Sequence, residues 1–453
     1  MRVQQLSIFW VALWGAVAAA ATTPEFAIAK DYVITFWPLW LSVNQWEKFP
    51  TNSLFGPDEI TPEFHSVVAI NVDTLYGATI VDLSKGPLVL TVPDTDVGYS
   101  VILADSFGTY LDTGDLKNHK AGEYGGGGTY LLKGPMAGEA PGGGGYDVVH
   151  VPYNHTMLIF RADVSLPDGT SILEKTHAFR RGLQLANLTE YENNAEAGGL
   201  QIVSVELFST PYKSIADNMV QLAPIMYLKQ LQESVESKFI PPLTPMEQSV
   251  SDQFDAAFDA RTNDGEFQKG AIAGYNALLE NYFTNTDGNG WIHFTDMGDW
   301  GNDTLNRAST TEFIQWGNTM ETAAYYHTFI DGDGNALTGG NDAVYMLKFT
   351  PEDIPPVGRF WSVTAYTPYT VELIPNDANK YHVASYSQGL ETDSDGGVTI
   401  YISKTRPVGV PKANWLPVSG SKFNIILRVY GIVEGSNVAE NTYVPPAIVL
   451  MSK

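Results

Sequence analysis

The residues best suited to chemistry in this 453-residue chain are carboxylates and phenols at the ends of short apolar runs. Asn71, Asp73 and Tyr76 fall within six residues, and Asp82 and Asp105 follow at the ends of the next runs. Asp73 is placed to act as a general base if partly buried. Tyr76 or Tyr366 would supply a proton, Asn71 would anchor a polar group, and Arg428 would hold an anionic one. Asp105 is a further ligand-binding candidate. The competing reading gives each Asp the task of capping a strand-ending turn through its own side chain.

Other chemistries lack their residues. With 0 Cys there is neither a disulfide nor a thiolate ligand or nucleophile. The 8 His are scattered, with no H-E-x-x-H, so metal hydrolysis is not expected. Asp331-Gly332-Asp333-Gly334-Asn335 alternates oxygen ligands like a calcium loop, but Ala336 stands where such a loop needs Gly, and an Asp-Gly turn is the expectation. No G-x-S-x-G elbow and no G-x-G-x-x-G fingerprint after a strand occurs. No metal and no cofactor is expected.

The elements that must position these residues are mostly strands. Ala78–Leu83, Pro87–Val92 and Tyr99–Leu103 are β-branched runs separated by Gly, Pro and Asp. Tyr146–Pro152 and Met157–Val164 continue the pattern, and Ala343–Phe349, Arg359–Tyr366, Lys380–Tyr386, Gly397–Ile402 and Lys422–Tyr430 repeat it near the end. Helical periodicity marks Lys30–Phe49, with a kink or break expected at Pro38. It returns over Thr170–Leu188, Lys213–Phe239, Pro245–Arg261, Glu266–Thr284 and Thr311–Phe329. Thr244, Pro245 and Glu247 spell a helix start. The glycine runs Gly125–Gly128 and Gly142–Gly145 read as surface loops.

The start reads as a secretory leader: Arg2, the apolar stretch Leu6–Val17, then Ala18–Ala21 for cleavage. That places the protein outside the cell. The net charge of −25, or −25 − 1 = −26 once Arg2 is removed, argues against nucleic-acid and anionic-membrane partners. No later stretch is apolar enough for stable membrane insertion. Sequons at Asn154, Asn187 and Asn302 permit glycosylation. Association into a homo-oligomer stays open.

Several short motifs carry a family resemblance. Asn71-Val72-Asp73-Thr74-Leu75-Tyr76, Val81-Asp82-Leu83-Ser84, Gly86-Pro87, Val92-Pro93-Asp94 and Tyr99-Ser100 resemble the domain of unknown function numbered twelve-fifty-four. Asp331–Gly334, Pro355-Pro356, Phe360-Trp361-Ser362-Val363-Thr364 with Tyr366, Asp395-Gly396, Asn414-Trp415-Leu416-Pro417 and Arg428-Val429-Tyr430 resemble its companion, numbered twelve-fourteen. The resemblance implies two jelly-roll-like antiparallel β-sandwich domains and no established reaction. Val72, Val97-Gly98 and Lys380 stand where arginines are common in the pattern, which weakens an anion-binding role inferred from relatives, although Arg161 and Arg428 remain.

The expectation is therefore a mainly β protein with α-helices. A leader (1–21) precedes an N-terminal helix and first sandwich (22–165), a helical connecting region (166–330) and a second sandwich (331–453). Trp361 and Trp415 either fill the second sandwich or wall a ligand. The function expected is that of a secreted, cofactor-independent lyase, cyclase, isomerase or hydrolase of secondary metabolism, acting on a small, partly apolar metabolite. A non-catalytic small-molecule-binding or cell-surface protein is the alternative.

Overall fold

The computed structural model describes residues 23–111, 116, 127–135 and 145–452. The leader, Gly125, Gly126 and Gly142–Gly144 lie outside them. Among the described residues there are 8 α-helices and 17 strands, arranged in four open sheets. None of these helices is long and apolar enough to cross a membrane.

Sheet I runs Tyr99–Ala104, His155–Asp163, Thr74–Asp82, Phe55–Pro57, Gln201–Val203, and sheet II runs Asp147–His150, Gly128–Lys133, Leu88–Val92, Gln184–Asn187. Sheet III runs Ala323–Thr328, Asn424–Ile432, Val357–Tyr366, His382–Ala384, and sheet IV runs Trp415–Pro417, Val398–Ser403, Val344–Phe349, Val449–Ser452.

Strand alternation sorts the side chains into layers. Val81, Leu90, Leu103, Leu132 and Phe160 form a core shared by sheets I and II. Leu347, Ile400, Val363, Leu427 and Val429 form one shared by sheets III and IV. The other faces of sheets I and III meet through Ile80, Ile102, Ile159, Phe360, Tyr366, Ile426 and Tyr430. Each fully buried aliphatic contributes about 1.5–3 kcal/mol. The order is thus II, I, III, IV, with the two halves of the chain joined through sheets I and III.

A fourth core is helical. The helix Pro24–Trp46 starts at Thr23, whose hydroxyl accepts the Phe26 amide, and continues through Pro38 as one helix rather than as two short ones. Tyr32, Phe36, Trp37 and Leu41 pack there against Phe254, Tyr275 and Leu278, and this burial outweighs the roughly 3 kcal/mol that an internal proline costs. Helix Gly265–Thr284 approaches it backbone to backbone: a Cβ on Gly270 would lie 2.4 Å from the Phe26 carbonyl oxygen. The Thr244/Glu247 capping box is present as expected.

Three helical expectations are corrected. Lys213–Phe239 divides at Ala223-Pro224 into helices Tyr212–Leu222 and Pro224–Val235. Thr170–Leu188 holds a helix only over Leu173–Gly182, after which Gln184–Asn187 pairs with sheet II. Thr311–Phe329 is the end of helix Thr304–Phe313 followed by a strand, Ala323–Thr328, that pairs with Asn424–Ile432. In the last two, pairing with an open sheet edge overrides local periodicity.

Candidate functional site

Strand Thr74–Asp82 begins directly after Asp73, and strand Val357–Tyr366 carries Ser362 on the face that meets it. Asp73 is 0% exposed. The Ser362 hydroxyl donates to its Oδ2 at 2.7 Å, and the Tyr386 hydroxyl donates to its Oδ1 at 2.8 Å. Asn71 shapes the approach: its Oδ1 accepts the amides of Asp73 at 3.0 Å and Thr74 at 3.1 Å, and its Nδ2 donates to the Tyr430 hydroxyl at 3.1 Å.

His382 completes the group. Its Nε2 lies 3.3 Å from the Tyr386 hydroxyl and 3.9 Å from Asp73 Oδ1. With the Tyr386 proton given to Asp73, the hydrogen-bond network assigns the imidazole proton to Nε2 and leaves Nδ1 basic. Burial lowers the His382 pKa from its ordinary value, against the pull of the Asp73 carboxylate. Burial, and then Asp73, raises that of Tyr386 well above the usual phenol range.

His382 and Tyr386 form part of the wall of an open cleft of about 430 Å³, together with Val72, Ser165, Lys380, Tyr381 and Lys412. The His382 side chain is 24% exposed, so it is the member of the group that solvent reaches. Lys380 donates to the carbonyls of Lys412 at 2.5 Å and Ala413 at 2.8 Å. Burial, and then the neighbouring Lys412, lowers its pKa to about 8. The arrangement can hold a neutral imidazole at the cleft wall, backed by a phenol and a carboxylate, and can pass a proton between Nδ1 and a bound molecule.

The structure draws several expected residues together behind the cleft. Arg428 donates through Nη2 to the Ala69 carbonyl at 2.6 Å and lies over the Tyr366 ring. The Tyr366 hydroxyl donates to the Ile70 carbonyl at 2.7 Å, and burial pushes its pKa up to about 12. Tyr76 sits under the Arg161 guanidinium.

The remaining expected residues lie elsewhere. Asp105 closes a turn, its Oδ1 accepting the amides of Phe107 and Thr109, both at 2.9 Å. Trp361 points away from Ser362, into the core shared by sheets III and IV. Trp415 is pinned through its indole N–H to the Ser403 carbonyl at 3.1 Å. Asn187 caps an exposed helix, Asn302 is exposed and Asn154 is half-buried. The Asp331 carboxylate takes up the amides of Asp333 and Asn335 as an Asp-Gly turn does.

Sequence reasoning passed over Ser362, His382 and Tyr386. The available signal was alternation: Ser362 is the polar residue inside the run Phe360–Thr364, and His382 and Tyr386 bracket the short strand His382–Ala384.

Comparison with known proteins gives family and fold. Residues 51–187 match the profile "Protein of unknown function (DUF1254)" and residues 322–433 match "Protein of unknown function (DUF1214)". No curated protein matches the chain. Among solved structures, the VPA0106 protein from Vibrio parahaemolyticus superposes with a TM-score of 0.57 at 21% identity, covering 94% of this chain and 100% of its own. An uncharacterised Burkholderia cenocepacia protein aligns over 99% of each chain at 15% identity, with a TM-score of 0.44. The first likeness concerns the fold alone. With both profiles matched in this order, the chain belongs to the family of proteins in which a DUF1254 domain precedes a DUF1214 domain.

Proposed function

We propose that the protein is a secreted, cofactor-independent enzyme that moves a proton on a small, partly apolar metabolite, as a lyase, cyclase, isomerase or hydrolase would. The observation that carries this reading is the His382–Tyr386–Asp73 chain at the wall of an open cleft. His382 is the group that exchanges the proton. Tyr386 and Asp73 orient it and compensate the charge that forms on it. Val72, Tyr381 and Ala413 offer the cleft's apolar contacts, and Lys380 its positive charge. Asp73 has no exposed surface, so its role is that of a positioning residue rather than of the base itself.

That same burial favours a second reading, a non-catalytic small-molecule-binding or cell-surface protein that uses the cleft only for recognition. The two separate on His382→Gln. The enzyme loses turnover by a factor of about 10²–10⁴ with ligand binding retained, whereas the binding protein has no turnover to lose. Metabolite profiling of a deletion strain complemented with wild type or with His382→Gln reads this out.

Secretion rests on the leader sequence, and N-terminal sequencing of protein recovered from the medium tests it. Glycosylation is proposed at Asn187 and Asn302, which are exposed, ahead of Asn154. The shared cores of sheets I with II and III with IV support a jelly-roll-like pair of sandwiches.

A further inference from the structure

Sheets I and III face each other across a row of polar side chains, of which Ser362 also bonds Asp73 behind the cleft. On sheet I the strand register sets Arg161 between Ser100 and Tyr76. On sheet III it sets Arg428 between Tyr325 and Ser362. The two residues are 5% and 1% exposed.

Neither arginine has every donor satisfied, although tyrosine hydroxyls also stand against them, Tyr110 against Arg161 and Tyr366 against Arg428. Arg161 donates through Nη1 to Asn318 Oδ1 and through Nη2 to the Trp316 carbonyl, both at 2.6 Å. Arg428 spends Nη2 on the Ala69 carbonyl. Among the described residues, Arg161 Nε, Arg428 Nη1, Asn318 Nδ2 and the Ser100 hydroxyl meet no hydrogen-bond partner. Buried polar groups in native proteins nearly always have one.

The charges do not balance either. Elsewhere in the interior Arg359 is paired with Asp163, Arg307 with Glu247, and Lys213 with Glu312 and Asp217, while among the described residues Arg180 meets only the Tyr76 and Pro57 carbonyls. Arg161 and Arg428 form no such pair among the described residues. Asp73, the carboxylate bordering Arg428, already accepts Ser362 and Tyr386. Two buried guanidiniums against one carboxylate leave an excess of one positive charge, and an unpaired buried charge is costly.

The backbone adds a third sign. The carbonyls that the arginines recruit belong to Ala69 and Trp316, whose φ values of 58° and 51° are left-handed, a costly conformation that persists where surrounding structure fixes it. Tyr76 keeps accessible surface although its strand is the middle one of sheet I. Tyr325 and Tyr430 accept hydrogen bonds from the Asn318 amide and Asn71 Nδ2, so each hydroxyl keeps a proton to donate.

We infer that this junction is a binding site for the carboxylate of a small organic acid, held between Arg161 and Arg428. A planar monoanion matches both the guanidinium forks and the single excess charge. The rings of Tyr76, Tyr325 and Tyr430 accept the apolar body. The site stands apart from proton transfer at His382: the acid binds here whether or not the cleft turns anything over.

Calorimetric titration of the full chain tests this, with benzoate and inorganic phosphate as probes. Wild type is expected to bind benzoate saturably and more tightly than phosphate, and Arg161→Gln to bind benzoate at least tenfold more weakly. If Arg161→Gln does not fold, Arg161→Lys replaces it, since it keeps the charge but loses the fork, and the same loss is expected. Absence of saturable benzoate binding to wild type, unchanged affinity in a folded variant, or phosphate binding as tightly as benzoate would each overturn the assignment.

Discussion

The Tyr386 hydroxyl lies 2.8 Å from Asp73 Oδ1, so a residue of the DUF1214 region completes the hydrogen bonding of a residue of the DUF1254 region. Ser362 does the same from the other side. Neither half of the chain contains the site alone. That accounts for why sheets I and III, rather than an exposed linker, join the halves.

Removing the carboxylate should therefore be felt as a loss of stability. Asp73→Ala leaves the Ser362 and Tyr386 hydroxyls without their acceptor in a dry interior, at a cost of about 3 kcal/mol. Asp73→Asn keeps an acceptor and costs less. Urea unfolding checks both, and a fall of Asp73→Ala below 1 kcal/mol (roughly one ordinary hydrogen bond) would contradict the buried geometry.

A second junction contact makes a separate prediction. The Arg359 guanidinium grips Asp163 with both Nε and Nη2, joining sheet III to the end of strand His155–Asp163. Burial raises the Asp163 pKa, and Arg359 opposes that rise. Arg359→Met strands a buried carboxylate and should cost about 3–5 kcal/mol. The double variant Arg359→Met, Asp163→Leu should recover most of that loss in the same unfolding assay.

Acid should weaken the fold through its buried histidines. His327 is 0% exposed, with Tyr282 on Nδ1 at 2.7 Å and Asn424 on Nε2 at 2.9 Å, and burial lowers its pKa to about 3. A depressed histidine pKa means that the unfolded chain takes up the proton first. The contribution is full above the ordinary pKa of about 6.5 and is lost as pH falls towards the folded value. The expected slope is about 1.4 kcal/mol per pH unit below 6.5. His327→Gln should flatten it, and chemical unfolding between pH 4 and pH 7 measures the difference.

Asp105 runs the other way. Burial raises its pKa to about 7, against its hydrogen bonds from backbone amides and the charge of Arg307. A raised carboxylate pKa favours the folded state at low pH, and that stability is lost as pH rises through the folded value. Asp105→Asn keeps an oxygen for the Phe107 and Thr109 amides and removes the buried charge. It should stabilise the protein at pH 8, on the order of 4 kcal/mol, and change little at pH 3, below the ordinary carboxylate pKa. Equal effects at both pH values would contradict this.

Gly270 gives the test of the helical core. In an exposed helix Gly→Ala stabilises by up to about 1 kcal/mol. Here the added Cβ would meet the Phe26 carbonyl oxygen at 2.4 Å, so Gly270→Ala should lower the melting temperature instead.

Much of the strand pattern was legible because short β-branched and aromatic runs bounded by Gly, Pro and Asp mark strands even where both faces are buried. Arg359–Tyr366, Gly397–Ile402 and Lys422–Tyr430 lie within about two residues of the observed strands. The capping box at Thr244 was legible for a similar reason, since its bonds are local. Ala323–Thr328 was not: it reads as the tail of a helix, and only its six-residue register with Asn424–Ile432 makes it a strand. The site divides along the same line. Asn71, Asp73, Tyr366 and Arg428 stand out by type, and they do converge. Their partners Ser362 and Tyr386 are separated from Asp73 by 289 and 313 positions, so nothing local announces that they meet it. Asp105 and Trp361 carry the same residue types into a turn and a core, because residue type does not reveal which face of a strand or turn a side chain takes.

The central claim is that His382 exchanges a proton with a metabolite while Tyr386 and Asp73 hold it in place. Its most direct test is the metabolite profile of a deletion strain complemented with the wild-type chain, with His382→Gln, or with Tyr386→Phe. A precursor should accumulate in the deletion strain, disappear with wild type, persist with His382→Gln, and fall only partly with Tyr386→Phe. A deletion profile identical to that of the parent strain, or full restoration by a folded His382→Gln, would contradict it.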